Sequence, residues 1–387
     1  MSPARRPATA RRILFHAETF APGSAAEELA RWFCARGHEV EAVAAAGTRA
    51  GESAAWWSTE EHHGIRITRC PRRRAALEGG LGASLQHLSF ALSSAPVLLR
   101  RARRFRPSLL AAIDPAAVLL PALLLAARRA GAQSWVHVNE AGSLDSAWLR
   151  RMNHVSLAAL GAERLLAEAG IGEAQRLALP PWVDSRALFP LARSPLRDSL
   201  GLAPDAIVAL YAGSLEERQG VERMIAAARL LPANGAVVLV LAGRGACWPM
   251  VAAATHGLPL RLLPWPRAAN LNALLGLADI HLLPAGLATP DPLFPAKLPA
   301  LLASGRPVLA AGAVPAELAE TVLPMAANGE GLAGAIVALA AQPQDRRRRG
   351  AAARRAAQDY HDRERVFRRL ERALGLQAAP AIGAAAS

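Results

Sequence analysis

The sequence predicts an α/β protein made of two successive Rossmann-like domains with a cleft between them and a C-terminal helix, and three observations carry that expectation. Short apolar strand patterns alternate with helical ones, as in parallel sheets linked by crossover helices. The alternation runs in two series that break at Pro180-Pro181-Trp182-Val183-Asp184, where prolines stiffen the chain and cannot continue a helix. The chain has 387 residues, beyond the length at which single hydrophobic cores stop growing.

In chain order, Arg12–Phe15 reads as the first strand, followed by a loop and a helix over Ala25–Arg36. Gly37 ends that helix as a left-handed cap would, and Glu39–Ala44 is the next strand. Ile65–Cys70, Leu109–Ile113 and Ser134–Val138 complete the first series. The apolar stretch Leu109–Ala127 contains Asp114, Pro115 and Pro121, so it reads as a buried strand and helix and not as a membrane span. The second series is Ile207–Tyr211, Val237–Ala242, Arg261–Leu263, Ile280–Leu283 and Val308–Ala310. Arg346–Leu374 is strongly helical, and the small residues of 375–387 predict a disordered tail. The expected domains are 1–180 and 181–374.

The net charge of +14 comes from 45 basic residues, of which Lys297 is the one lysine. Such a field concentrates anionic ligands or lipid, while the scarcity of aromatic residues among the arginines argues against nucleic acid. Cys34, Cys70 and Cys247 stand far apart with no metal-ligand spacing, which predicts no disulfide, no metal site and a reducing, cytoplasmic setting. The start of the chain lacks the apolar core of a secretory signal.

In open α/β sheets ligands bind beyond the carboxyl ends of the strands, where helix N-termini favour anions. Three segments of the second half fit that position. In YAGSLEERQG (211–220), Gly213 frees the backbone, and Arg218 reads either as a bidentate partner for a diphosphate or as part of a solvated turn. In LAGRG (241–245), Gly243 and Gly245 permit close approach to a ligand or simply make a tight turn. Lys297 falls in the first turn of a helix, against the dipole, a conflict that a bound anion would remove. In the first half, the loop holding Gly23 and Ser24 follows the first strand, and His137, Asn139 and Glu140 follow the strand Ser134–Val138. His137 alternates with valines and reads equally as a packing residue or a cleft residue. No G-x-G-x-x-G dinucleotide fingerprint is present.

Taken in order, these segments resemble the family-4 retaining glycosyltransferases of GT-B fold, closest to the colanic-acid-type exopolysaccharide transferases. RRILFHAETFAPGSAAEELARWFCARGHEV resembles the family's opening, HLSFALSSAP (87–96) a subgroup segment, LPPWVD (179–184) the interdomain "LPNWVD", and EERQG the "EKQG" element. FPAKLPALLASGRPVLA resembles the nucleotide-binding block "PSKLTGMLASGRPV". The resemblance spans roughly residues 11–370.

The resemblance implies an acceptor-side first domain and a nucleotide-sugar-binding second domain. A sugar would move from a nucleoside-diphosphate donor to a saccharide or polyprenyl-diphosphate-linked acceptor, without cofactor or metal. Arg218 and Lys297 would bind the diphosphate, with Gly213, Gly243 and Gly245 giving backbone access. Asp279 and Asp291 would lie near the nucleotide or sugar. Gly23, Ser24, Asn139 and Glu140 would face the acceptor and His137 the transferred sugar, which makes His137, Arg218 and Lys297 the catalytic candidates. Arg100–Arg106, beside Leu98 and Leu99, would touch the inner face of an anionic membrane or form a solvated helix face. The chain departs from the broad family at its E-x7-E pair, where Pro292 and Ala300 stand, and at Ser214, and from the subgroup at Ala296. Two other readings compete. An epimerase on the same fold would want more cleft carboxylates and histidines, and a non-catalytic nucleotide- or partner-binding subunit would fit the lost glutamates.

Overall fold

The computed structural model describes residues 10–46, 57–72, 80–139, 147–158, 162–284 and 297–377. They form two compact units, the first running to Leu179 and resuming at Phe367, the second covering Pro180–Val366. The division falls one residue from the expected boundary, but the last helical residues rejoin the first unit.

The first unit is built on β1 (Arg12–Ala17), α1 (Ala25–Ala35), β2 (Glu39–Ala45), β3 (Ser58–His62), β4 (Ile65–Cys70), α2 (Gly80–Phe105) and β5 (Leu109–Ile113). It continues through α3 (Leu120–Ala130), β6 (Gln133–Val138), β7 (His154–Leu157), α4 (Ala162–Glu168) and β8 (Arg176–Leu177). The sheet order is β3-β4-β2-β1-β5-β6-β7-β8, parallel except for the β3–β4 hairpin. β1, β2 and β5 are buried along almost their whole length, so they read as continuous apolar runs, as strands covered on both faces do. β3, β7 and β8 escape the sequence reading because they are short or polar. Ser24 starts α1 by accepting the Glu27 amide at 3.3 Å, and Gly37, at φ 89°, follows its last turn.

The second unit holds α5 (Leu196–Ser199), β9 (Ile207–Ser214), α6 (Val221–Leu230), β10 (Val237–Arg244), α7 (Trp248–Ala254), β11 (Leu260–Pro264), α8 (Leu271–Leu275) and β12 (Ile280–Leu283). After these come α9 (Leu298–Ala303), β13 (Val308–Ala311), β14 (Val322–Met325), α10 (Gly329–Ala340) and α11 (Pro343–Ala356), while α12 (Arg363–Ala373) starts in the second unit and from Phe367 belongs to the first. All six strands are parallel in the order β11-β10-β9-β12-β13-β14. Its core packs Tyr211, Val221, Met224, Leu239, Leu241, Ile280 and Ile336. The strand order reverses at β9, which pairs with β10 on one side and β12 on the other. Sheets of this kind place ligands at such a switch point.

The helical stretch expected over Arg346–Leu374 is two helices. α11 widens into a π-helical turn over Ala357–His361 and the chain leaves the helix at Asp362; in that turn His361 points inward and its Nδ1 meets the Pro181 carbonyl at 2.8 Å. Arg354 holds the same proline-rich connection through the carbonyls of Ser185 and Leu188. Beyond the break Phe367 meets Trp32 edge-on, with centroids 5.6 Å apart, and Glu371 accepts from Arg36 at 3.3 Å. The expected tail begins later than Gly375, since Leu376 is buried; residues 378–387 lie outside the described residues.

Candidate functional site

The carboxyl end of β9 gathers the chemistry of the second unit. The Lys297 ammonium sits 4.5 Å from the centroid of the Tyr211 ring. The buried Tyr211 hydroxyl donates to the Ser214 carbonyl at 2.7 Å and reaches Gln219 Oε1 at 3.4 Å, so the ring is fixed beneath the cation. A methyl group on Gly213 would lie 2.9 Å from the Tyr211 hydroxyl and 3.2 Å from Lys297 Nζ. Gly213 therefore leaves open the space that ammonium and phenol share. Desolvation by burial pushes the Lys297 pKa down to about 8. No carboxylate among the described residues pairs with this ammonium, which gains about 0.5–2 kcal/mol from the ring and retains capacity to bind an anion.

Lys297 caps the six-residue α9 and does not lie inside its first turn. Arg218 falls in the one-turn segment Glu217–Gln219 directly after β9, and its side chain lies outside the described residues. Arg223, which the sequence reading passed over, donates to the Pro284 carbonyl at 3.1 Å. That carbonyl closes β12, the neighbour of β9 at the switch point.

Gly243 and Gly245 have a different origin. A Cβ on Gly243 would fall 1.8 Å from the Gly213 carbonyl oxygen, and one on Gly245 2.4 Å from that of Leu215. Gly245 also has φ 155°. Contact between the chain's own backbone segments demands both glycines, whatever binds nearby.

Asp279 does not join this group. Ile280 of β12 pairs with Ala209, which puts Asp279 beside Val208 at the amino end of β9. Five strand residues, about 16 Å at the usual rise, separate it from Gly213. There its carboxylate accepts the Val208 amide at 2.9 Å and Arg197 at 3.2 Å, a structural pair at the wrong end for a ligand. Asp291 and Glu140 lie outside the described residues.

In the first unit, Gly23 adopts φ 80° and donates its amide to Glu27 Oε2 at 3.2 Å, while the Ala21 amide donates to Ser24 Oγ at 3.2 Å. With the Glu27 amide donating to Ser24 Oγ, these bonds tie the loop after β1 to the first turn of α1. Asn139 follows β6, its amide donating to Asp114 Oδ1 at 3.2 Å. Asp114 sits after β5 with φ 49°, a conformation uncommon outside glycine. His137 is 1% exposed, with Nδ1 2.9 Å from Ser156 Oγ. Burial pushes its pKa down to about 3, so the imidazole is neutral at ordinary pH and buried in β6. Beside this loop, Glu18 takes His87 Nδ1 at 2.7 Å, with Arg72 3.9 Å away; the sequence offered no pattern that joins them.

Residues 21–170 match the glycosyl transferase 4-like domain. The Escherichia coli K12 protein WcaI, named as a colanic acid biosynthesis glycosyl transferase, is 25% identical over 332 residues, covering 76% of this chain and 81% of its own. The solved structure of Anabaena Alr3699/HepE in complex with UDP superposes with a TM-score of 0.70 at 17% identity, covering 95% of this chain and all of that one. Sucrose-phosphate synthase from Thermosynechococcus elongatus superposes with a TM-score of 0.74 at 16% identity, over 94% of this chain and 98% of its own. The two parallel-sheet units are those of the GT-B fold.

Proposed function

We propose that the chain is a glycosyltransferase of the GT-B type that moves a sugar, with anomeric retention, from a nucleoside-diphosphate sugar to a lipid-linked saccharide in exopolysaccharide assembly, a reading supported by the glycosyl transferase 4-like match, the likeness to WcaI and the shared fold. The observation that carries this reading is the Lys297 ammonium, held over Tyr211 beside Gly213 at the β9 switch point. As the sugar departs, negative charge collects on the leaving diphosphate. A desolvated cation placed in advance stabilises that charge more than solvent does. Arg218 is the second cation of the proposed clamp, and with two cations the transfer needs no metal. HepE binds UDP and, in a further structure, UDP-glucose, so a uridine-diphosphate sugar is the first donor to test.

A membrane-borne acceptor is favoured by the outer face of α2. Leu85, Leu88 and Leu92 are 51%, 44% and 70% exposed, and Trp57 is 54% exposed. Leu88 and Leu92 lie three and seven positions after Leu85, hence on one face, and the exposed Arg103, eleven positions (about three turns) beyond Leu92, continues that face. The sequence had pointed to Leu98, but that side chain is fully buried. The proposed membrane contact is therefore this leucine face, at the inner surface of the cytoplasmic membrane. No helix of the described residues is long and apolar enough to cross a membrane.

The test is release of nucleoside diphosphate from a panel of uridine, guanosine and adenosine diphosphate sugars, with and without polyprenyl-diphosphate saccharide. Turnover of one donor that depends on the lipid-linked acceptor supports the reading. Tight nucleotide binding without turnover favours a non-catalytic nucleotide-binding subunit, to which the missing carboxylate at Ala300 points. Absence of both binding and turnover removes the donor site altogether.

A further inference from the structure

Away from the donor site, three ligand-bearing side chains converge where the β3–β4 turn meets the start of α1. One ligand atom from each of Glu27, His62 and His63 lies within 4.8 Å of the other two. Glu27 is 3% exposed. Its Oε2 accepts the Gly23 amide, but its buried Oε1 makes no hydrogen bond. Among the described residues that oxygen pairs only with Arg31 Nε, at 3.5 Å, from a side chain that is 53% exposed. A carboxylate oxygen without a hydrogen bond in a buried position is costly and suggests a missing partner.

The histidines come from a two-residue turn. His63 and Gly64 both have positive φ, 52° and 75°, a geometry for which Asn-Gly is the favoured pair. The turn itself does not call for histidine. The two imidazole rings lie 4.1 Å apart, centroid to centroid, and the His63 carbonyl accepts the Cys34 thiol at 3.5 Å, which fastens the turn to α1.

We propose that Glu27, His62 and His63 form a binding site for a divalent transition metal, Zn2+ foremost. Two imidazoles and one carboxylate are the ligand types that suit Zn2+ and its neighbours, unlike the all-oxygen sets of Mg2+ or Ca2+. Tetrahedral bonds of about 2.0–2.2 Å require ligand atoms about 3.5 Å apart, so binding draws the turn and the carboxylate together by on the order of 1 Å. The exposed His63 can move that far. Arg31 must swing outward, and the fourth position is left to water. Because Glu27 also holds Gly23, the metal would fasten the β3–β4 hairpin to the loop that caps α1. Cysteine spacing gives no sign of this site, since no donor is a cysteine and the donors meet only through folding.

The experiment uses the full chain, tag-free and stripped of metal, titrated with Co2+ followed by visible absorbance and with Zn2+ by competition calorimetry. One equivalent should bind, and His62→Ala and His63→Ala should each weaken binding at least tenfold while leaving the metal-free melting temperature unchanged. Arg31→Ala should tighten binding several-fold by removing the competing cation. His256→Ala, an exposed histidine of the second unit, should change nothing. Absence of stoichiometric binding, or equal affinity in the His62 and His63 variants, overturns the proposal.

Discussion

Replacing Lys297 with methionine separates the cost of this lysine to the fold from its service to a ligand. Methionine keeps an unbranched stem over Tyr211 and exchanges a cation–ring contact for a sulfur–ring contact of similar size, about 0.3–1.5 kcal/mol. It also removes an ammonium that burial already disfavours, as the pKa lowered to about 8 records. Stability at neutral pH should therefore hold or rise. Diphosphate binding should move the other way, because a hydrogen bond to a charged group contributes about 1.5–3 kcal/mol, or about 10- to 150-fold in affinity. The pH dependence adds a second signature. The native pKa lies below the unfolded value of 10.5, so the unfolded chain binds more protons between about 8 and 10.5, and this residue's penalty on stability is relieved as pH rises through that window. Nucleotide affinity should fall over the same rise, since the ligand needs the protonated amine, and the methionine variant should be flat. Melting curves and calorimetric titration with UDP from pH 6.5 to 9.5 measure both. A variant that binds UDP as the wild type does, or melts several degrees lower, refutes the reasoning.

Gly243→Ala places a methyl 1.8 Å from the Gly213 carbonyl, so the second unit should lose at least 3 kcal/mol, beyond the usual range for overpacking, read as a lower urea midpoint. Asp279→Asn should destabilise by about 1–3 kcal/mol through the loss of a charged partner for Arg197 and leave nucleotide affinity unchanged, which calorimetry would show. His16, His137 and His281 are fully buried with pKa values lowered to about 4, 3 and 3, against an unfolded value near 6.5. Each leaves the unfolded chain binding more protons as pH falls below 6.5, so urea stability should drop between pH 7 and 5 by on the order of 2 kcal/mol per histidine; His281→Asn should make that slope shallower. Changing Leu85, Leu88 and Leu92 to serine should reduce co-sedimentation with anionic vesicles at least fivefold while leaving nucleotide binding intact.

Much of the architecture was legible because buried parallel strands write themselves as apolar runs. Ile207–Tyr211 and Ile280–Leu283 fall inside β9 and on β12. β3 did not show, since its Ser-Thr-Glu-Glu-His sequence lines a sheet edge and carries no apolar face. The π turn at Ala357–His361, with the exit from the helix at Asp362, was hidden because the contact it serves is tertiary: His361 meets Pro181, 180 positions earlier. Phe367 likewise reads as one more apolar helical residue until Trp32 is beside it. At the site, Lys297 and Gly213 could be found as a lone cation and a strand-end glycine. Tyr211 could not, because its apolar neighbours make it look like ordinary core. Asp279 was misplaced for a reason the sequence did contain: it precedes its strand, and residues before a parallel strand sit at the end of the sheet away from ligands.

The central claim is that Lys297 and the space at Gly213 receive a diphosphate. A crystal structure of the chain with UDP tests it most directly. The account predicts a phosphate oxygen within hydrogen-bonding reach of Lys297 Nζ, about 2.7–3.2 Å, at the carboxyl end of β9. A nucleotide held with its diphosphate remote from that ammonium would contradict it.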